Sequence, residues 1–266
     1  MGARLIRRVK AIEFTRRTGN GRTSPAFLVA ESMNGDELEL VAKLPSECME
    51  GARSLAREAI CACLAGDLGI RVPEPLYVEM SPLWINSIRD AGWAAMARKG
   101  PLVAFGSTYI GGGYSAWQHP RAMSDAMISE VAAALVFDCA IENSDRRAEN
   151  PNCLHSGEKF YLFDHELCFP PILIGQPKPW VVGGLQDFET PGRQIFADAL
   201  RKRNVDWAPI IDRWNSLSDA MIDDYGRDLP PEWIEAATAV ADARQKIRQA
   251  RDNIQGLIVE IGRVLT

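Results

Sequence analysis

Asp145, Asn150 and Asp164 stand around a short polar stretch, IENSDRRAEN at 141–150 and YLFD at 161–164, flanked by apolar runs. Four residues separate Asp145 from Asn150, and Asp164 follows Asp145 by 19 positions. One carboxylate can orient an attacking hydroxyl and accept its proton, while an amide oxygen and a second carboxylate are the hard donors that magnesium selects. The chemistry that uses all three together is phosphoryl transfer from a metal-bound triphosphate. Earlier in the chain, Lys43 sits in the alternating run LELVAKL and Glu58 in the helical run that follows. Those are the two elements of an ion pair that fixes a lysine against phosphates. Before them comes TGNGRTSP, Thr18 to Pro25, in which Gly19 and Gly21 would let backbone N–H groups approach phosphate oxygens closely, with Thr23 and Ser24 in the same turn.

Each residue alone has a plainer reading. A strand lysine is usually a solvated edge, Glu58 could be an ordinary surface acid, Asp145 and Asn150 could form a turn, and Asp164 could simply end a strand. Arg146 and Arg147 read as solvated neighbours of an acidic loop, or as one arginine that steadies the loop or the transferring phosphoryl group. The joint order of the five features is what raises the case, since independent turn residues have no reason to reproduce one layout.

The elements that must carry these side chains follow from periodicity. PAFLVAE and LELVAKL, separated by MNGDE, predict a hairpin with Lys43 and Val41 on one face. GARSLAREAICACLAGDLGI predicts a helix that stops at Gly69 and places Glu58 at the edge of its apolar stripe. LVAFGSTYIGGGYS reads as a strand running into a glycine-rich connection, the expected boundary between an N-terminal and a C-terminal part. SDAMISEVAAALVFDCAI is a helix capped by Ser124 that feeds directly into the polar loop, and NCLH, SGEK and FYLFD form a second hairpin. A long ordered Pro- and Gly-rich loop is expected from Phe169 to Arg193, and then amphipathic helices, the last and longest running from PEWIE to GRVL.

With 47% hydrophobic and 24% charged residues the chain can bury one large core or two lobes, which excludes a disordered class. A net charge of -5 and a pI near 5.4 give no general attraction to nucleic acid or anionic membranes, and neither is an expected partner. The six cysteines form no C-x-x-C pair, the three histidines lack zinc spacing, and runs such as VAAALVF are too short to span a bilayer. Basic residues interrupt MGARLIRRVKAIEF before an apolar signal core develops, so the expected location is cytoplasmic.

NGRTSPAFLV, LVAKL, REAICACLAGDLGIRVPEP, VAFGSTYI, IENSDRRAENPN and YLFDHE, in this order over roughly residues 10–190, resemble a HipA-like kinase domain of the bacterial protein-kinase-like superfamily. The resemblance implies an α+β, two-lobed protein-kinase-like fold, with a small, mainly antiparallel β lobe at 1–112 and a larger, mainly helical lobe at 113–266. ATP and Mg2+ are the implied cofactors. Lys43 would contact the nucleotide phosphates under the Gly19, Gly21, Thr23 and Ser24 turn, Glu58 would partner Lys43, and the backbone near Ser107 to Tyr109 would receive adenine. Asp145 would be the catalytic aspartate, and Asn150 and Asp164 would ligate magnesium. Asn143-Ser144 before the catalytic aspartate and His165-Glu166 after the metal aspartate depart from the eukaryotic kinase pattern and fit this branch. The implied activity is a serine/threonine protein kinase. Two alternatives stay open: a small-molecule kinase of the antibiotic-phosphotransferase type, and a catalytically inactive nucleotide-binding or scaffold protein.

Overall fold

The computed structural model describes residues 5–19, 22–118, 122–171, 175 and 177–266. They form a mixed α+β chain that divides into two compact units, each assembled from discontinuous stretches. The first holds the chain up to Cys63 together with Pro73–Gly111 and Tyr225–Ala241, and the second holds Leu64–Val72, Gly112–Asp224 and Asp242–Thr266.

In the first unit the elements run β1 (Arg7–Arg17), β2 (Ala26–Glu31), β3 (Glu37–Lys43), most of α1 (Ala52–Asp67), β4 (Pro75–Glu79), α2 (Pro82–Ser87), α3 (Ala91–Ala97) and β5 (Val103–Thr108). The five strands close into a barrel in the order β1-β2-β3-β5-β4. All pairings are antiparallel except the closing one, in which β1 runs parallel to β4 from Arg7 opposite Leu76 to Lys10 opposite Glu79. Small inward residues make so tight a closure possible. Ala26 and Ala30 of β2 and Ala42 of β3 are fully buried beside Leu28 and Leu40, and a Cβ on Gly106 would lie 2.6 Å from Val78 Cγ2. The alternation read in LELVAKL therefore points Leu40 and Ala42 into the barrel and Val41 and Lys43 to its outer face. Ser32 shapes the hairpin turn, its Oγ accepting from the N–H groups of Asn34 and Asp36. Helix α1 is buried over nearly its whole circumference, Glu58 included, rather than along one stripe. Trp233, far away in sequence, completes this core: it stacks edge-on against Tyr77 and donates Nε1–H to Val103 O at 3.1 Å.

The second unit contains β6 (Ser115–Ala116), α4 (Asp125–Ala140), β7 (Cys153–Ser156), β8 (Lys159–Leu162), α5 (Ile195–Leu200), α6 (Ala208–Asn215), α7 (Asp219–Asp224), most of α8 (Ala237–Asp252), and α9 (Ile254–Leu265). Ser124 caps α4 by accepting from Met127 N–H, and every residue from Val131 to Ala140 is buried. β6, β7 and β8 form a small antiparallel sheet whose Phe160 packs with Trp117 and Phe196. The long C-terminal helix expected from periodicity is instead three pieces. It starts as a 3-10 turn at Pro231–Ala236, in which Trp233 leaves helical geometry, and it breaks again at Asn253, whose ψ is 21°. The kink at Trp233 serves the indole's packing, which outweighs the i to i−4 ladder there. Among the described residues no helix is long and apolar enough to cross a membrane.

Candidate active site

In the first unit the lysine and the glutamate meet. Lys43 is the last residue of β3 and Glu58 lies in the second turn of α1. Lys43 Nζ reaches Glu58 Oε1 at 2.6 Å, with only 12% and 5% of the two side chains exposed. Strand alternation sends Lys43 outward from the barrel, where Glu58 of α1 meets its ammonium. A buried ammonium with a bonded carboxylate has its position fixed to within a hydrogen bond's tolerance.

The turn before β2 is closed by Thr18 N–H donating to Pro25 O at 2.9 Å. Gly19 has φ +54°, and a Cβ there would meet nothing within 4 Å, so the turn's outer side is open at this residue. Gly21 lies outside the described residues. Thr23 is buried at 7% exposure, whereas Ser24 is half-buried with a left-handed φ of +45°. Of the two hydroxyls, the one on Ser24 is the more accessible. At the end of β5, Ser107 stands opposite Val41 of β3 and Pro75 of β4. Tyr109 N–H is already donated to Glu39 O at 2.8 Å, and its half-exposed ring packs edge-on against Phe27, over which Arg16 sits at 4.0 Å. Any adenine contact at Tyr109 would thus fall to its carbonyl or ring, not its N–H.

In the second unit α4 delivers the polar loop. Asp145 Oδ2 accepts from Asn150 Nδ2 at 2.9 Å and from Asn152 Nδ2 at 3.4 Å, while Asp145 N–H donates to Asn143 Oδ1 at 3.1 Å. These bonds fix the carboxylate plane and leave Oδ1 to receive a proton. Reciprocal backbone bonds between Arg147 and Asn150 close the loop. Asp164 lies two residues beyond the end of β8, half-buried, with φ +62°. A left-handed aspartate costs about 1–2 kcal/mol and persists only where its surroundings over-determine it.

Asn150 spends its amino group on Asp145, so its Oδ1 is the atom that can face a cation. That oxygen and the Asp164 carboxylate are both hard donors of the type magnesium selects. Among the described residues no three His, Cys, Asp or Glu side chains gather as a metal cage. That chemistry fits magnesium, which takes one or two protein oxygens and completes its octahedron with water and phosphate.

A model of the HipA-like kinase family matches residues 11–258. The chain belongs to the HipA-like kinase family. Comparison with curated protein sequences finds no match. Among solved structures, the HipA-like chain resembles that of the Helicobacter pylori proinflammatory kinase CtkA, with a TM-score of 0.50 over 96% of this chain and 99% of that one. At 11% identity the likeness is one of fold.

The HipA-like loop rests on residues that composition alone hides. Arg146, one of two adjacent arginines in a polar loop, is wholly buried. Its Nε donates to Asp138 at 2.6 Å, Nη1 to Asn152 O at 2.5 Å, and Nη2 to His165 Nε2 at 3.0 Å. Asp138, also wholly buried, further accepts from Asn143 Nδ2 at 3.0 Å and from Gln194 Nε2 at 2.8 Å. Gln194 in turn caps α5 through Oε1. Burial opposes the charge on Arg146, and the Asp138 carboxylate more than restores it, holding the guanidinium above its ordinary range. A signal did exist: Asp138 interrupts the apolar run VAAALVFDCAI, and a charge inside a helix buried on all sides must find a partner.

Proposed function

We propose that this HipA-like chain is an ATP- and Mg2+-dependent phosphotransferase of two-lobed protein-kinase-like architecture that phosphorylates a serine or threonine hydroxyl of a protein. The observation that carries the reading is the Asp145 carboxylate, held by two amides through one oxygen and open at the other, with the Asn150 amide oxygen beside it. Asp145 Oδ1 accepts the proton of the acceptor hydroxyl as its oxygen bonds to the γ-phosphorus. The bond from that phosphorus to the β–γ bridging oxygen breaks, and ADP leaves with the electron pair. Asn150 and Asp164 would hold magnesium, which neutralises charge on the phosphate oxygens. Lys43, kept in place by Glu58, supports the nucleotide phosphates, and the Ser107–Tyr109 backbone takes the base. Because protein groups form no covalent bond in this step, the rate comes from positioning and electrostatics.

Incubation of lysate protein with the enzyme, γ-labelled ATP and Mg2+ is expected to label protein. Asp145→Asn is expected to abolish labelling while Mg-ATP still raises the melting temperature. An Asp145→Asn protein that labels as well as wild type overturns the assignment. Label confined to small molecules transfers the reading to a small-molecule kinase, and stabilisation by ATP with no labelled product makes the chain a nucleotide-binding scaffold.

A further inference from the structure

Arg146 presents three faces of its guanidinium to three separate segments: Asp138 on α4, the Asn152 carbonyl just before β7, and the His165 ring just after β8. At 0% exposure it can touch neither nucleotide nor acceptor. Arginine has no acceptor atom, so His165 Nε2 must accept this bond and its ring proton must sit on Nδ1. The Asn152 carbonyl accepts a second bond, from Phe163 N–H at 3.1 Å, which ties the loop again to the residues that lead into Asp164. Asp145 is bonded through its own N–H to Asn143, and Asn143 is bonded to the same Asp138 that grips Arg146. Asp145 and Asp164 are therefore each one residue from a member of a single buried network.

We infer that Arg146 and His165 form a positioning pair that sets the separation between the acceptor-orienting carboxylate and the metal-binding carboxylate. This inference rests on the proposed roles of Asp145 and Asp164. The physical need for such a pair is the left-handed backbone at Asp164, φ +62°, which relaxes unless a neighbour holds it. His165 is the next residue in the chain, and its ring is anchored to a planar, charge-assisted donor that cannot rotate without breaking its bond to Asp138. A lysine at position 146 would keep the charge but lose the fork.

The test compares His165→Leu, His165→Gln and Arg146→Lys with wild type by amide hydrogen exchange over 143–152 and 163–166, and by the Mg2+ concentration that half-saturates binding of a non-hydrolysable ATP analogue. Losing a bond to a charged donor should speed exchange by at least about tenfold. His165→Leu is expected to do so in both segments, although 143–152 lies far from the substitution in sequence, and to raise the half-saturating Mg2+ at least severalfold. His165→Gln, whose amide oxygen can take the place of Nε2, is expected to restore both readouts to within about threefold of wild type. Arg146→Lys should resemble His165→Leu. Exchange in 143–152 that His165→Leu leaves unchanged overturns the coupling. So does a His165→Gln protein as impaired as His165→Leu. These readouts need no turnover, so an inactive wild type would count against the proposed reaction, while loss of the coupling would count against the pair.

Discussion

Replacing Asp138 by asparagine keeps the shape of the side chain and removes its charge, and the structure allows the cost to be worked out. Asp138 and Arg146 are 0% exposed and 2.6 Å apart, and the carboxylate receives three donors, from Arg146, Gln194 and Asn143. An asparagine there offers one acceptor oxygen and one amino group, so at least one of the three donors would face another donor. The buried guanidinium would also lose its counter-charge. Removing one partner of such a pair typically costs about 3–5 kcal/mol, well above an average substitution. For a chain this size, that lowers the melting temperature by on the order of 10 °C. Denaturant unfolding followed by tryptophan fluorescence gives the free energy. A double-mutant cycle with Arg146→Met isolates the pair, and Asp138→Leu with Arg146→Met should cost less than the sum of the two single changes by at least about 1.5 kcal/mol. If Asp138→Asn shifts stability by less than about 0.5 kcal/mol, as an ordinary surface change would, the buried pair does not exist as described and the loop's support must lie elsewhere.

Glu58→Gln keeps an acceptor for Lys43 but not its counter-charge; because the pair is nearly enclosed, the melting temperature should fall as well, and phosphotransfer measured as kcat/KM on the protein that remains folded should drop by about 10- to 100-fold. The Arg17 guanidinium, with help from Trp93 N–H, lowers the Asp90 carboxyl to about 2. A depressed carboxylate stabilises the fold above its ordinary value near 3.8 and loses that contribution as pH falls toward 2, so Asp90→Asn should flatten that part of the acid-unfolding curve. An equally steep curve in the mutant would refute this. Burial pushes the Cys153 thiol up to about 12, so in native protein at pH 8 mass spectrometry should find it unalkylated by iodoacetamide, and alkylated once the chain is unfolded.

Short-range chemistry was legible in the sequence. The turn at MNGDE, the Ser124 cap, the hairpin of β7 and β8 and the outward face of Lys43 follow from turn residues and from a period of two, properties that a few neighbouring residues settle between themselves. The polar order from Lys43 to Asp164 was equally visible, because side-chain type is a matter of sequence alone. Burial was not. Two adjacent arginines look alike in a string of letters, yet Arg146 is sealed in a network while Arg147 stays partly exposed and bonds only backbone among the contacts of its side chain. Which of them is enclosed depends on the carboxylate that α4 carries to the spot and on the glutamine that α5 places beside it. Likewise Trp233 joins the strand-built core across more than a hundred residues, and its demands break a helix that periodicity would have continued. Local propensities are worth tenths of a kcal/mol per residue, whereas burying an indole or pairing a charge is worth several. Tertiary packing therefore decided which polar groups became scaffold and which remained available for chemistry.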